Sequence, residues 1–87
     1  RERIAPAALL QRCRQRFAPR AAEAGIELTT ELAPDLPDLE LDAAAIDRVL
    51  DNLLANAIRH TPRGGRIELL AQAGRQRVVL AVRDSGE

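Results

Sequence analysis

The sequence predicts an α+β domain, a two-layer sandwich with helices on one face of a mainly antiparallel sheet. Three observations carry this expectation. Two long stretches repeat apolar residues at three- and four-residue steps, the period of a helix with one buried face. Shorter stretches alternate apolar and polar residues or stay apolar throughout, as strands do. Their order is helix, strand, short strand, helix, strand, strand, which is neither all-helical nor a regular βαβ alternation.

The first helix is expected over Ile4 to Ala24. Pro6 suits its first turn, where no hydrogen bond is lost. Ala7, Leu10, Cys13, Phe17, Ala21 and Ala24 form its apolar face, while Arg12, Arg14, Gln15 and Arg16 lie mostly elsewhere. Pro19 removes a hydrogen bond and clashes with the preceding turn, so a kink or break is expected near Phe17 to Ala18. Gly25 is a C-terminal stop. Ile26 to Leu32 alternates and reads as a half-buried strand. Pro34 and Pro37 mark a loop. Leu39 to Leu41 is a short strand at most. Asp42 stands at the N-cap of the second helix, able to accept a bond from an early N–H. In that helix Ile46, Val49, Leu50, Leu53, Leu54, Ala57 and Ile58 make the apolar face. Thr61-Pro62 and Gly64-Gly65 end it and are expected to release a flexible loop. Arg66 to Ala73 alternates again. Gly74-Arg75 reads as a tight turn, and Gln76 to Arg83 completes a hairpin. Apolar on both faces, this last strand is expected to be the more central one.

The 87 residues suffice for one small domain of modest stability. Thirteen basic residues balance thirteen acidic ones, so no global field favours nucleic acid or an anionic membrane. The one aromatic residue, Phe17, gives no base-stacking platform. The one cysteine, Cys13, excludes an internal disulfide. No apolar run approaches the roughly 20 residues that span a bilayer. No signal peptide is visible, and the opening Arg1-Glu2-Arg3-Ile4 reads as the interior of a longer protein.

Chemistry concentrates on the second helix. Asn52 and Asn56 are four residues apart, with Arg59 and His60 one turn on. At roughly 100° per residue all four fall on one side of the helix, flanking the apolar stripe. An amide oxygen suits a hard cation such as Mg²⁺, which takes one or two protein ligands together with phosphate oxygens and water. Arg59 and His60 can meet phosphates; an arginine forks onto phosphate oxygens. The competing account is that both asparagines are solvated or bond locally to the backbone. Asp84-Ser85-Gly86 after a strand, taken alone, is most simply a turn.

The run Asn-Leu-Leu-Ala-Asn-Ala-Ile-Arg-His-Thr-Pro-Arg-Gly-Gly, residues 52–65, resembles the N box of sensor histidine kinases. These belong to the GHKL superfamily with gyrase B, MutL and the heat-shock chaperone ATPases. Val82-Arg83-Asp84-Ser85-Gly86-Glu87 resembles the start of the G1 box, with residues 84–87 ending before its second glycine. The resemblance implies that residues 1–87 are part of an ATP-binding domain of the Bergerat type. It implies ATP and Mg²⁺ as cofactors, with Asn56 as the metal ligand and Asn52 lining the same site. A glutamate is typical at the position of Asn52 in members that hydrolyse ATP, so Asn52 fits phosphoryl transfer to a protein rather than to water. Arg59 stands at a phosphate-side position and His60 near ribose and phosphates. Asp84 resembles the aspartate that accepts from the adenine amino group, and Gly86 lets the backbone approach the base. His60 is not at a phosphoacceptor position; its plain role is a helix-end histidine favoured by the macrodipole.

The same resemblance implies a protein-histidine kinase of a two-component system as the parent. Its partners are ATP or ADP, its own dimerisation and phosphoacceptor domain, and a response regulator; nucleic acid is not among them. The domain is expected in the cytoplasm, of a parent that can be membrane-anchored. The second G1 glycine, the F box, the G2 stretch and the lid are absent from these residues. The piece by itself is therefore expected to be inactive as a kinase. Its last strand, residues 76–83, is expected to offer an edge for self-association. Two rival readings stand: a non-catalytic α+β dimerisation or partner-binding module, and another GHKL-type ATPase.

Overall fold

The computed structural model describes residues 1–85. Its elements are β1 (Glu2–Ile4), α1 (Pro6–Glu23), β2 (Glu27–Leu32), β3 (Leu39–Leu41), α2 (Ala43–His60), β4 (Arg66–Gly74) and β5 (Arg77–Asp84). The helices lie side by side on a three-stranded sheet ordered β2-β4-β5. α1 covers β2 and β4, and α2 covers β5. The expected α+β sandwich is the architecture found.

The pairing is mixed. β4 runs antiparallel to β5, from Ile67↔Asp84 to Gly74↔Arg77. β2 and β4 are parallel, from Glu27↔Arg66 to Leu32↔Ala71. A parallel pair needs a long crossover, and the segment carrying β3 and α2 supplies it. β1 and β3 form a separate antiparallel ribbon, with Arg3 opposite Glu40. β1 was not expected: three residues are too few to show a period, and only the distant partner makes them a strand.

Further expectations are corrected. First, α1 begins at Pro6, not Ile4, and runs unbroken through Pro19. The proline deprives only the carbonyl of Gln15 of its donor. Both residues are exposed, so water can serve that carbonyl, while buried Phe17 and Ala21 hold the helix to the sheet on either side. Second, Ala7 is exposed and Leu9 is fully buried. Leu9, Arg12 and Arg16 share one stripe, and both arginines pair with α2, Arg12 with Asp47 and Arg16 with Asp51 at 2.7 Å. The neighbouring helix thus widens the buried arc of α1. Third, Val49 and Leu53 are 53% and 46% exposed. α2 rests on the sheet through Ala43, Leu50, Leu54 and Ala57 instead. Fourth, β4 is the central strand, with Ile67, Leu69, Leu70 and Ala71 buried, and β5 has β4 as its neighbour in the sheet. The hairpin turn is one residue later than expected, at Arg75-Gln76 with Gln76 at φ 58°.

The helix ends follow local chemistry. Asp42 Oδ1 accepts from the N–H groups of Ala44 and Ala45 at 3.1 and 3.3 Å. Gly25, at φ 71°, closes α1: its N–H donates to Ala22 O and that of Ile26 to Ala21 O.

Cys13 lies fully buried in the core beneath the inter-helix ion pairs. Burial, and next the Asp51 carboxylate, push its thiol up to about 12 from an ordinary 9.0. Above pH 9 an unfolded chain loses this proton and the folded one keeps it. Stability is therefore intact below pH 9 and falls as pH rises toward about 12. The expected result is that a thiol reagent at pH 8 labels Cys13 only at the rate of unfolding, with full reaction in denaturant. Rapid labelling of the folded chain contradicts this placement.

Candidate functional site

The site is built on the flank of α2 that faces away from α1. Asp47 and Asp51 mark the α1-facing side, because they take Arg12 and Arg16. At roughly 100° per residue, Val49, Leu53, Asn56 and His60 fall on the opposite flank. Since α2 lies over β5, that flank overhangs the outer side of β5. Asn52 and Arg59 point from the crest of the helix toward solvent, next to this flank. All four polar residues are exposed, as ligand-binding groups must be.

Asn56 and Arg59 are in direct contact: Arg59 Nη2 donates to Asn56 Oδ1 at 3.0 Å. The amide oxygen that suits a cation is thus satisfied by its own helix. This bond is an exposed i,i+3 contact, worth about 0.2–0.5 kcal/mol. A divalent cation with its phosphate ligands exceeds that easily, so the bond orders the amide without blocking it.

Asp84 ends β5 directly opposite Ile67. Opposed residues share a face of the sheet, and Ile67 is buried beneath the helices. Asp84 therefore stands on the helix-bearing face, at the end of the sheet where α2 terminates. Asn56 and His60 on one side and Asp84 on the other border a single open corner. Gly86 lies outside the described residues.

The loop after α2 is tied down, contrary to the flexibility expected from Gly64-Gly65. Gly64 N–H donates to Gly25 O at 2.8 Å, and Glu27 N–H to Gly65 O at 3.0 Å. Arg63 Nη1 reaches Glu23 O at 3.4 Å. The glycines serve geometry instead. Gly64 sits at φ 93°, and a Cβ on Gly65 would lie 2.5 Å from Thr61 Cγ2. The loop thus fixes the end of α2 against both the start of β2 and the end of β5, where Ser85 N–H donates to Arg66 O at 2.9 Å.

Three residues of this corner were not singled out as site residues in the sequence. Val49 and Leu53 give the flank an apolar border, and their helical spacing made them look like core. Thr61 is buried at the end of α2; the residue type gave no signal, because threonine after a helix is ordinary.

Among the described residues no group of three or more His, Cys, Asp and Glu could hold a metal ion. A cation at this corner has one amide oxygen, that of Asn56, and must draw its other ligands from water and a bound anion. The donor set fits Mg²⁺ carried by polyphosphate.

Comparisons with known proteins bear on the family and the fold. Residues 41–87 match the family described as histidine kinase-, DNA gyrase B-, and HSP90-like ATPase. The chain is 47% identical over 79 residues to the alginate biosynthesis sensor protein KinB of Pseudomonas aeruginosa. That match covers 91% of this chain and 13% of KinB. It is 35% identical over 81 residues to the adaptive-response sensory kinase SasA of Synechococcus sp. (strain JA-3-3Ab), covering 92% of this chain and 22% of SasA. The solved catalytic domain of histidine kinase ThkA superposes with a TM-score of 0.86 at 27% identity, over 99% of this chain and 58% of that one. The chain thus spans a minor part of its curated relatives and somewhat over half of the solved domain.

Proposed function

Because the chain belongs to the family of histidine kinase-, DNA gyrase B- and HSP90-like ATPases, we propose that it forms one wall of a Mg-ATP site in a two-component sensor histidine kinase. The observation that carries the reading is the open corner between α2 and β5, with Asn56 and His60 on one side and Asp84 on the other. Asn56 would hold Mg²⁺ through its amide oxygen, and Asn52 would line the same side. Arg59 and His60 would meet phosphates and ribose. Asp84 would accept from the adenine amino group, with Gly86 allowing the backbone close to the base. Bound Mg²⁺ supplies charge neutralisation for the polyphosphate.

In this reading the parent passes the γ-phosphoryl group of ATP to a histidine of its own dimerisation domain, and then to a response regulator. None of the residues described here is a candidate nucleophile or phosphoacceptor. Their work is binding and orientation. In the same reading the domain works in the cytoplasm. Among the described residues no helix is long and apolar enough to cross a membrane. The test is calorimetric titration of Mg-ADP, with Asn56→Ala and Asp84→Ala beside the native sequence. Saturable binding lost in both variants supports the reading, and binding indifferent to both rejects it.

One observation favours a second property, self-association through β5. The strand pairs with β4 on one side, and its Val79 is 38% exposed. An accessible apolar edge is a template for another strand. Sedimentation is expected to show a concentration-dependent dimer that Val79→Lys weakens. A monomer at every concentration rules this out.

A further inference from the structure

Thr61 is the buried polar side chain of the described residues, 7% exposed, and its Oγ1 has no hydrogen-bond partner among them. Asp47 Oδ1 also lacks a hydrogen bond, but Arg16 Nη2 lies 3.4 Å from it and compensates its charge. The Thr61 hydroxyl has no such compensation, and a buried hydroxyl without a partner carries its full desolvation cost. Packing does not require it: the methyl, not the hydroxyl, meets Gly65. Valine keeps that methyl and lacks the hydroxyl.

The surroundings indicate what the hydroxyl serves. Thr61 continues the stripe of Leu54 and Ala57, the underside of α2 that faces the sheet. Beside it, Ser85 Oγ lies 3.3 Å from the Cβ position of Gly65 and accepts from Arg66 N–H at 2.9 Å. Asp84 precedes Ser85 on the helix-bearing face. The Pro62 carbonyl oxygen lies 3.0 Å from the Cβ position of Gly65. The Thr61 side chain, the Pro62 carbonyl and Ser85 Oγ thus meet around Gly65, where α2 stops.

We propose that the Thr61 hydroxyl is a positioning group of the nucleotide site, holding one ordered water between the last turn of α2 and the Asp84–Ser85 end of β5. Such a water needs two to four polar neighbours, and beside the Thr61 hydroxyl stand the Pro62 carbonyl and Ser85 Oγ. It braces Asp84 for the base. The inference rests on the Mg-ATP reading.

Calorimetric titration of Mg-ADP into the parent protein, with thermal unfolding alongside, tests it. Thr61→Val removes the hydroxyl and keeps the methyl; Thr61→Ser does the reverse. Thr61→Val is expected to weaken Mg-ADP binding by roughly 5- to 10-fold with an unchanged or higher Tm. Thr61→Ser is expected to bind as the native protein does, with a lower Tm. The opposite signs separate a hydroxyl function from packing. Native affinity in Thr61→Val overturns the inference, as does equal weakening in both variants. If Asn56→Ala loses binding while Thr61→Val retains it, this inference fails and the nucleotide reading stands. If the native protein does not bind Mg-ADP at all, both fall.

Discussion

Asn56→Ala is expected to weaken Mg-ADP binding by roughly 10- to 100-fold, the effect of losing an interaction with a charged partner worth about 1.5–3 kcal/mol. Thermal unfolding should barely change, because Asn56 is exposed and its one hydrogen bond is the weak contact from Arg59. The loss should depend on the metal. Titrated with ADP in a chelator, native and variant should bind alike, because an amide that acts through Mg²⁺ contributes little without it. A loss of equal size in the chelator would mean that Asn56 touches the nucleotide directly. Arg59→Ala serves as the internal comparison. It frees the Asn56 oxygen and, in the proposed reading, removes a phosphate contact, so it should weaken ADP binding with and without metal. The two residues are neighbours on one helix, yet the metal dependence distinguishes them.

Leu54→Ala is expected to cost about 2–5 kcal/mol, the usual range for emptying a buried leucine site. Leu54 is 0% exposed, under α2 in the main core. A domain of 87 residues has a total stability of about 4–13 kcal/mol. The single substitution therefore removes a large share of it, and at about 4–8 °C per kcal/mol the Tm should fall by at least about 8 °C. Leu53→Ala, one residue earlier, should cost under about 1 kcal/mol, since that side chain is 46% exposed. Equal losses for the two leucines would mean that the exposed flank of α2 is covered in solution.

That contrast shows where the sequence stops being informative. Helical spacing placed Val49, Leu50, Leu53 and Leu54 on one apolar face, and it has no means of ranking them. The structure ranks them, because α1 lies against one side of α2 and not the other. For α1 the same limit worked in reverse. Leu9 lay outside the expected face, and the approach of α2 buried it. Pro19 does not break α1, since a missing hydrogen bond costs less where water reaches the carbonyl than in the core.

At the site, the residue types and spacing of Asn52, Asn56, Arg59 and His60 were legible, and so was the place of Asp84 at the end of a strand. Their meeting at one corner was not, because it depends on β5 returning beside β4 beneath α2. Thr61 was invisible for a related reason. A threonine after a helix becomes conspicuous only once its hydroxyl is seen to be buried without a partner.

The sequence by itself determined both helices and the strands other than β1, the N-cap at Asp42, the glycine stop at Gly25 and the polar signature of α2. Each of these is a matter of local chemistry: periodicity, a carboxylate near free N–H groups, a left-handed backbone. Tertiary structure alone decided the parallel pairing of β2 with β4, the central place of β4 and the burial of Leu9 and Thr61. It also set Asp84 across from the asparagine flank. These depend on which surfaces exclude water together, a property of pairs of distant segments that no single stretch of sequence contains.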